Sequence, residues 1–226
     1  MSYFVTGTDT DVGKTLISCA LLQAFAAQGK RVVGMKPVAA GGDAAGQNQD
    51  VLRLHAASNV AVPLRQANPY SFEPAVAPHL AAQLAGTRID FGHILAAYSA
   101  LSKQADEVIV EGAGGFLVPL NERQDAGELA RQLGLPAVLV VGMRLGCLNH
   151  ALLTVEAIER RNLSLAGWVA NVIDAGMPLL EANIAALQQR IPAPLLGIVP
   201  HLAQVDASAA AGHLHLGRLG SLAHQA

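Results

Sequence analysis

The segment Tyr3-Phe4-Val5-Thr6-Gly7-Thr8-Asp9-Thr10-Asp11-Val12-Gly13-Lys14-Thr15 constrains this chain most, because an apolar strand runs straight into a short turn ending in Gly-Lys-Thr. Backbone N–H groups in such a turn converge on phosphate oxygens, the helix starting near Lys14 presents its positive dipole end, and the Thr hydroxyl suits Mg²⁺. The general pattern is Gly-x4-Gly-Lys-Ser/Thr, whereas here Thr8 holds the first glycine position and Gly7 stands one residue earlier. Behind the turn, Leu16, Ile17, Cys19, Ala20, Leu22, Ala24 and Phe25 recur at helical spacing, and Gly29 supplies a stop. The segment is read as a nucleotide-phosphate cradle.

The rest of the chain repeats strand then helix. Residues 31–36 read as a short buried strand that Pro37 ends, and a loop with Gly41-Gly42 is expected after it. Residues 107–111 read as a strand entering Gly112-Ala113-Gly114-Gly115, and 137–141, 168–171 and 195–199 as further strands. Helices are expected near 91–104, 125–133, 150–161 and 179–190. Pro63, Pro69, Pro74 and Pro78 exclude long regular elements from residues 60–78 and predict an excursion of the kind that covers a site. Nearly uninterrupted apolar strands alternating with helices predict an α/β fold, a parallel sheet with helices on both faces in three layers.

At 226 residues and 52% hydrophobic, with no linker or charge run, the chain is expected to form one domain over 1–226, with the Ala/Gly/His-rich tail from about 203 unassigned. Net charge is −2, and Lys14, Lys30, Lys36 and Lys103 do not cluster with the arginines, so no nucleic-acid partner is expected. Cys19 and Cys147 lie far apart, the N-terminus enters a strand at once, and no apolar run is long enough to cross a bilayer. These features predict a cytoplasmic protein with no membrane partner.

In open parallel sheets, ligands gather beyond the carboxyl ends of the strands. Glu111 ends an apolar strand there, either as a carboxylate beside Mg²⁺ or as an acid facing solvent. Asp50 is a second metal carboxylate or the N-cap of the run Val51-Leu52-Arg53-Leu54. Lys36, one of four lysines, is a cation for an anionic substrate or a solvated strand end. Residues 142–150 form an anion nest or an ordinary strand-to-helix loop capped by Asn149. Cys147 reads as packed rather than nucleophilic, and His213 with His215 as tail polarity rather than a metal pair. Asn171 either meets adenine through its amide or starts a turn.

The residues together resemble one family. The cradle segment, Lys36-Pro37-Val38-Ala39, Asn68-Pro69-Tyr70, Val110-Glu111-Gly112-Ala113-Gly114-Gly115, Val140-Val141-Gly142, Leu145-Gly146-Cys147, Asn149-His150-Ala151, residues 165–171 and residues 191–197 are similar to the ATP-dependent dethiobiotin synthetases, whose fold is of the P-loop NTPase type. The likeness covers about 200 positions, and the shifted glycine is the family's own form. It implies that CO₂ and 7,8-diaminopelargonate form a carbamate, that ATP phosphorylates it, and that the second amine closes a cyclic urea with release of phosphate.

Carried over by position, Thr15, Asp50 and Glu111 would hold Mg²⁺, Lys14 would sit on the phosphates, and Lys36 would stabilise the carbamate. Asp11, Val12, Gly13, Lys14, Thr15 and Leu16, with Glu111, Gly112, Ala113 and Gly114, would line the nucleotide, and Asn171, Pro200, His201 and Leu202 its adenine. Thr10 and position 40 would face the diamine, and Gly146, Cys147, Leu148 and Asn149 would take its carboxylate across a homodimer interface. Ala40 stands where the family commonly has serine. Loss of that hydroxyl costs about 1.5–3 kcal/mol if nothing replaces its bond to a charged group. A partitioning-type ATPase switch shares the fold class, but its signature lysine would fall at position 9, where Asp9 stands. An amide-forming ligase with a glutaminase domain would need more chain than 226 residues leave.

Overall fold

The computed structural model describes residues 2–43, 46–204 and 206–219. Six strands form one parallel sheet: β1 (Tyr3–Gly7), β2 (Val32–Met35), β5 (Glu107–Glu111), β6 (Ala137–Met143), β7 (Leu165–Val172) and β8 (Leu195–Val199), in the order β2-β5-β1-β6-β7-β8. Their side chains are apolar on both faces. Phe4, Val108 and Val110 enter a cluster on one face, while Val5 and Ile109 pack with Ile17, Leu21 and Leu22 on the other. Each such buried side chain contributes about 1.5–3 kcal/mol. A strand that alternates between two apolar layers has no solvent face to specify it, so its sequence reads as continuously hydrophobic.

The connections leave β1 in one direction and β6 in the other, which opens a crevice between the ends of these neighbours. Helix α1 (Lys14–Ala27) follows β1 directly, and α5 (Phe91–Ser102), α6 (Ala126–Leu133), α7 (Cys147–Arg160) and α8 (Leu180–Gln188) fill the other connections. Between β2 and β5 the chain makes the expected excursion. The loop anticipated after Pro37 is instead a short strand, β3 (Val38–Ala40), paired in parallel with β4 (Tyr70–Phe72) outside the main sheet. Helices α2 (Gln49–Ala57), α3 (Leu64–Ala67) and α4 (Pro78–Leu84) complete this region. The Asn68 side-chain amide donates to the carbonyls of Lys36, at 2.6 Å, and Tyr70, at 3.0 Å, tying the excursion to the end of β2.

Several boundaries differ from expectation. Helix α2 is capped by Asn48, whose Oδ1 accepts from the Asp50 and Val51 amides at 3.0 and 3.4 Å, so Asp50 is not the cap. Helix α7 starts at Cys147 behind Gly146 rather than near 150, which places Asn149 inside its first turn and not at its cap. The unassigned tail contains α9 (Ala207–Ala211), capped by Asp206 and packed on α1, followed by a 3₁₀ turn at Leu216–Arg218. A Cβ at Gly197 would lie 2.0 Å from the His213 carbonyl oxygen, so the returning tail approaches β8 where only glycine fits. Residues 220–226 of that tail lie outside the described residues. Among the described residues no helix is long and apolar enough to cross a membrane, and no group of three His, Cys, Asp or Glu side chains is placed to hold a metal.

Candidate active site

An open cleft of about 800 Å³ lies at the carboxyl edge of the sheet. Its lining includes the cradle, Thr10, Asp11 and Gly13 to Leu16, together with Lys36, Ala40, Asp50, Arg53 and residues 75–78. Glu111, Ala113 and Gly114 form part of its lining, as do Asn171, Val172, Ile173, Pro200, His201 and Leu202. Such a volume falls in the range of small-molecule sites.

The cradle has the backbone of an anion nest. Asp11 and Gly13 take positive φ, 58° and 91°, which turns successive amides toward one side. A Cβ on Gly7 would sit 2.6 Å from Val12 Cγ2, so the shifted glycine is where the loop folds back on its own strand. A Cβ on Gly13 would sit 2.1 Å from Asn171 Nδ2, and that amide donates to the Val12 carbonyl at 2.9 Å. Asn171 therefore braces the loop with its NH₂ group as well as lining the cleft. Lys14 Nζ donates to the Asp9 carbonyl at 2.7 Å. Burial, followed by the Lys36 cation, lowers its pKa to about 8.

Beside the cradle, at its Thr15, lies an ion cluster built on the buried Lys36 and Glu111. Lys36 Nζ is 2.5 Å from Glu111 Oε1 and 3.0 Å from Asp50 Oδ2, and Thr15 Oγ1 donates to the same Glu111 oxygen at 2.9 Å. Burial disfavours the Lys36 cation, but Glu111 and Asp50 outweigh it and the pKa is raised. Asp50 moves the other way: desolvation would raise its pKa, and Lys36 with Thr15 holds it below the usual carboxylate range. Glu111 is fully buried, yet its second oxygen, Oε2, has no hydrogen-bond partner. A buried anionic oxygen left unsatisfied is costly unless a cation or ligand completes it. The donor set, one hydroxyl and two carboxylates, is the hard-oxygen kind that Mg²⁺ takes together with phosphate oxygens and water.

The structure brings Thr10, Asp11, Gly13, Lys14, Thr15, Leu16, Lys36, Ala40, Asp50, Glu111, Ala113, Gly114, Asn171, Pro200, His201 and Leu202 to one cleft. It does not bring every expected residue there. Val12 is buried and contributes only its carbonyl to the Asn171 brace, and Gly112 lies beneath the cleft against the Phe4 ring. Gly146, Cys147, Leu148 and Asn149 do not line the cleft within one chain. They form the N-terminal turn of α7, with the Cys147 side chain buried and its amide donating to the Arg144 carbonyl at 3.0 Å. Residues 75–78, the end of the excursion expected to cover a site, line the cleft, and Arg53 lines it without having been singled out. For Arg53 the available signal was its place one turn after Asp50 on the same helix.

Comparison with known proteins adds to this geometry. Residues 1–209 match a family described as an AAA domain. In fold, the chain is similar to the septum site-determining protein MinD from Pyrococcus horikoshii, a structure complexed with Mg-ADP, with TM-score 0.57 and 15% identity over 96% of this chain and 89% of that one. At this identity the likeness shows only the fold, that of P-loop NTPases. Two curated relatives are closer in sequence, both named ATP-dependent dethiobiotin synthetase. The one from Nitrosospira multiformis is 56% identical over 96% of each chain, and the one from Aromatoleum aromaticum 54% identical over 95% of this chain and 97% of the relative. With identity of this extent over nearly the whole length, and a phosphate-loop turn beside a lysine–carboxylate cluster, the chain belongs to the family of ATP-dependent dethiobiotin synthetases.

Proposed function

We propose that this enzyme uses ATP and Mg²⁺ to carboxylate 7,8-diaminopelargonate with CO₂ and close the cyclic urea of dethiobiotin, releasing ADP and phosphate. The observation that carries this reading is the buried Lys36 ammonium, held by Asp50 and Glu111 beside the cradle. A carbamate and a triphosphate are both anions, and they meet only where fixed cations offset their repulsion. Lys36, with its raised pKa, remains an ammonium at neutral pH and so acts as a fixed charge, not as a base. Lys14 is the second fixed charge, on the cleft lining at the start of α1. Thr15, Asp50 and Glu111 would hold Mg²⁺, and the orphaned Glu111 oxygen supports that assignment. The metal, when bound, would neutralise charge on the phosphoryl group being transferred.

Residues 171–173 and 200–202 offer a partly apolar wall for the adenine. Ala40 lines the cleft without a hydroxyl, and its carbonyl accepts from the Asn48 amide at 3.1 Å, so the diamine must be held by other groups. On the family resemblance, Gly146 to Asn149, at the start of α7, would meet the carboxylate of a substrate bound by the partner in a homodimer. The partitioning-type switch has only the fold in its favour, and position 9 carries an acid in place of its lysine. The test is phosphate release from ATP with and without diaminopelargonate and bicarbonate. Release should require both, and release indifferent to them would refute the reading.

A further inference from the structure

Two loops flank the crevice between β1 and β6, and one ion pair joins them. Arg144 Nη2 lies 2.6 Å from Asp9 Oδ2 across 135 residues of sequence. Asp9 is also held from within its own loop, since Oδ1 accepts the Thr10 amide at 2.8 Å. Its backbone carbonyl is the acceptor of the Lys14 ammonium. One residue thus connects the Arg144 guanidinium, the first turn of the cradle and the cradle lysine. The neighbouring contact is rigid: the Thr8 amide donates to the Val140 carbonyl at 3.1 Å, so the loop leaves β1 already pinned to β6. Beyond Thr8 the chain passes half-buried Asp9 and exposed Thr10 to Asp11, whose φ of 58° is left-handed, a conformation that Asp adopts more readily than most side chains. The Asp9–Arg144 pair is a tertiary anchor at the start of that turn, as the Asn171 bond to Val12 is at its end.

We infer that Asp9 and Arg144 are positioning residues for the nucleotide: the pair holds the cradle in its phosphate-binding shape before the ligand arrives and keeps the Asp9 carbonyl where it parks Lys14. Neither side chain lines the cleft, so they act through the loop and not by contact. Preorganising a loop lowers the ordering cost of binding and appears in affinity. Both side chains are about half exposed, so solvent and salt moderate the pair and its effect is graded. The inference rests on the nucleotide half of the proposed function and is independent of the identity of the acceptor.

The test is calorimetric titration of the full chain with Mg·ADP. Asp9→Asn and Arg144→Gln should each weaken binding about two- to fivefold, the range expected for a half-exposed charged pair. The double variant should be no weaker than the weaker single one, because both remove the same interaction. Arg144→Lys should restore most of the affinity. In steady state, KM for ATP should rise by the same factor while KM for the acceptor does not move, a split that general loosening of the fold would not give. Unchanged affinity in both single variants, effects that multiply in the double, or equal losses for both substrates would overturn the inference. Failure of the wild-type chain to bind Mg·ADP would overturn it together with the nucleotide-site reading.

Discussion

Replacing Lys36 by methionine tests the electrostatics of the site most directly, because it keeps much of the side chain's volume and removes only the charge. Lys36 is 6% exposed and Glu111 not at all, so the carboxylate left behind remains buried, in contact with the Thr15 hydroxyl. Breaking a buried pair in this one-sided way costs about 3–5 kcal/mol. For a chain of this size each kcal/mol shifts Tm by about 2–4 °C, so the variant should melt roughly 6–20 °C lower. The single tryptophan, Trp168, is fully buried and reports unfolding through its fluorescence. Adding Glu111→Gln to the variant should recover a large part of the loss, because the buried charge is then gone.

Mg²⁺ provides a second readout. With Lys36 removed, Asp50 and Glu111 no longer have a protein cation between them, so Mg²⁺ should raise Tm more in Lys36→Met than in the wild type. The pH dependence follows from the directions of the two shifts. Asp50 has a depressed pKa, so its contribution is present above the unfolded value and lost as pH falls through the folded one. Lys36 has a raised pKa, so its contribution is present below the unfolded value and lost as pH rises through the folded one. The contribution of these two groups to the wild type should therefore be complete between about pH 5 and 9.5, whereas lowering the pH of the variant should relieve it as the unpaired buried Glu111 takes up a proton. A melting point within about 2 °C of wild type, or no relief from Glu111→Gln, would refute the argument.

Two further outcomes follow from the cradle. Lys14 has a pKa lowered to about 8, and phosphate charge beside it should raise that value, so Mg·ADP binding at pH about 8.5 should take up about three-quarters of a proton. Calorimetry in two buffers of different ionisation enthalpy measures this, and proton release would contradict it. Gly13→Ala should weaken nucleotide binding by more than about tenfold, since its Cβ would collide with Asn171 and its φ of 91° is unfavourable for alanine. Asn171→Ala in the same chain should recover only part, because the backbone cost persists; binding equal to wild type in the single variant would refute the steric account.

The parts of the site visible in the sequence are those whose signals are local. The strand, turn and helix of the cradle lie within residues 3–27, and Lys36 and Glu111 declare themselves by ending apolar strands. Asp50 could be read two ways because capping and ligation call for the same residue type, and only the Asn48 side chain bonded to the α2 amides removes the cap reading. Helix α7 was misplaced because Gly146, at φ 93°, opens the helix earlier than its apolar periodicity suggests. Helix α9 is five small residues whose place depends on packing against α1.

By itself, then, the sequence determined the α/β class and the phosphate cradle, since strand and helix periodicity and turn chemistry act between residues close along the chain, and its motifs carried the resemblance to the family. Tertiary structure alone decided how Lys36 sits between Asp50 and Glu111, that Asn171 braces the cradle from 159 residues away, and that residues 146–149 stand outside the cleft of their own chain. These depend on the order of the strands in the sheet, which sets which strand ends are neighbours, and no local pattern encodes that order.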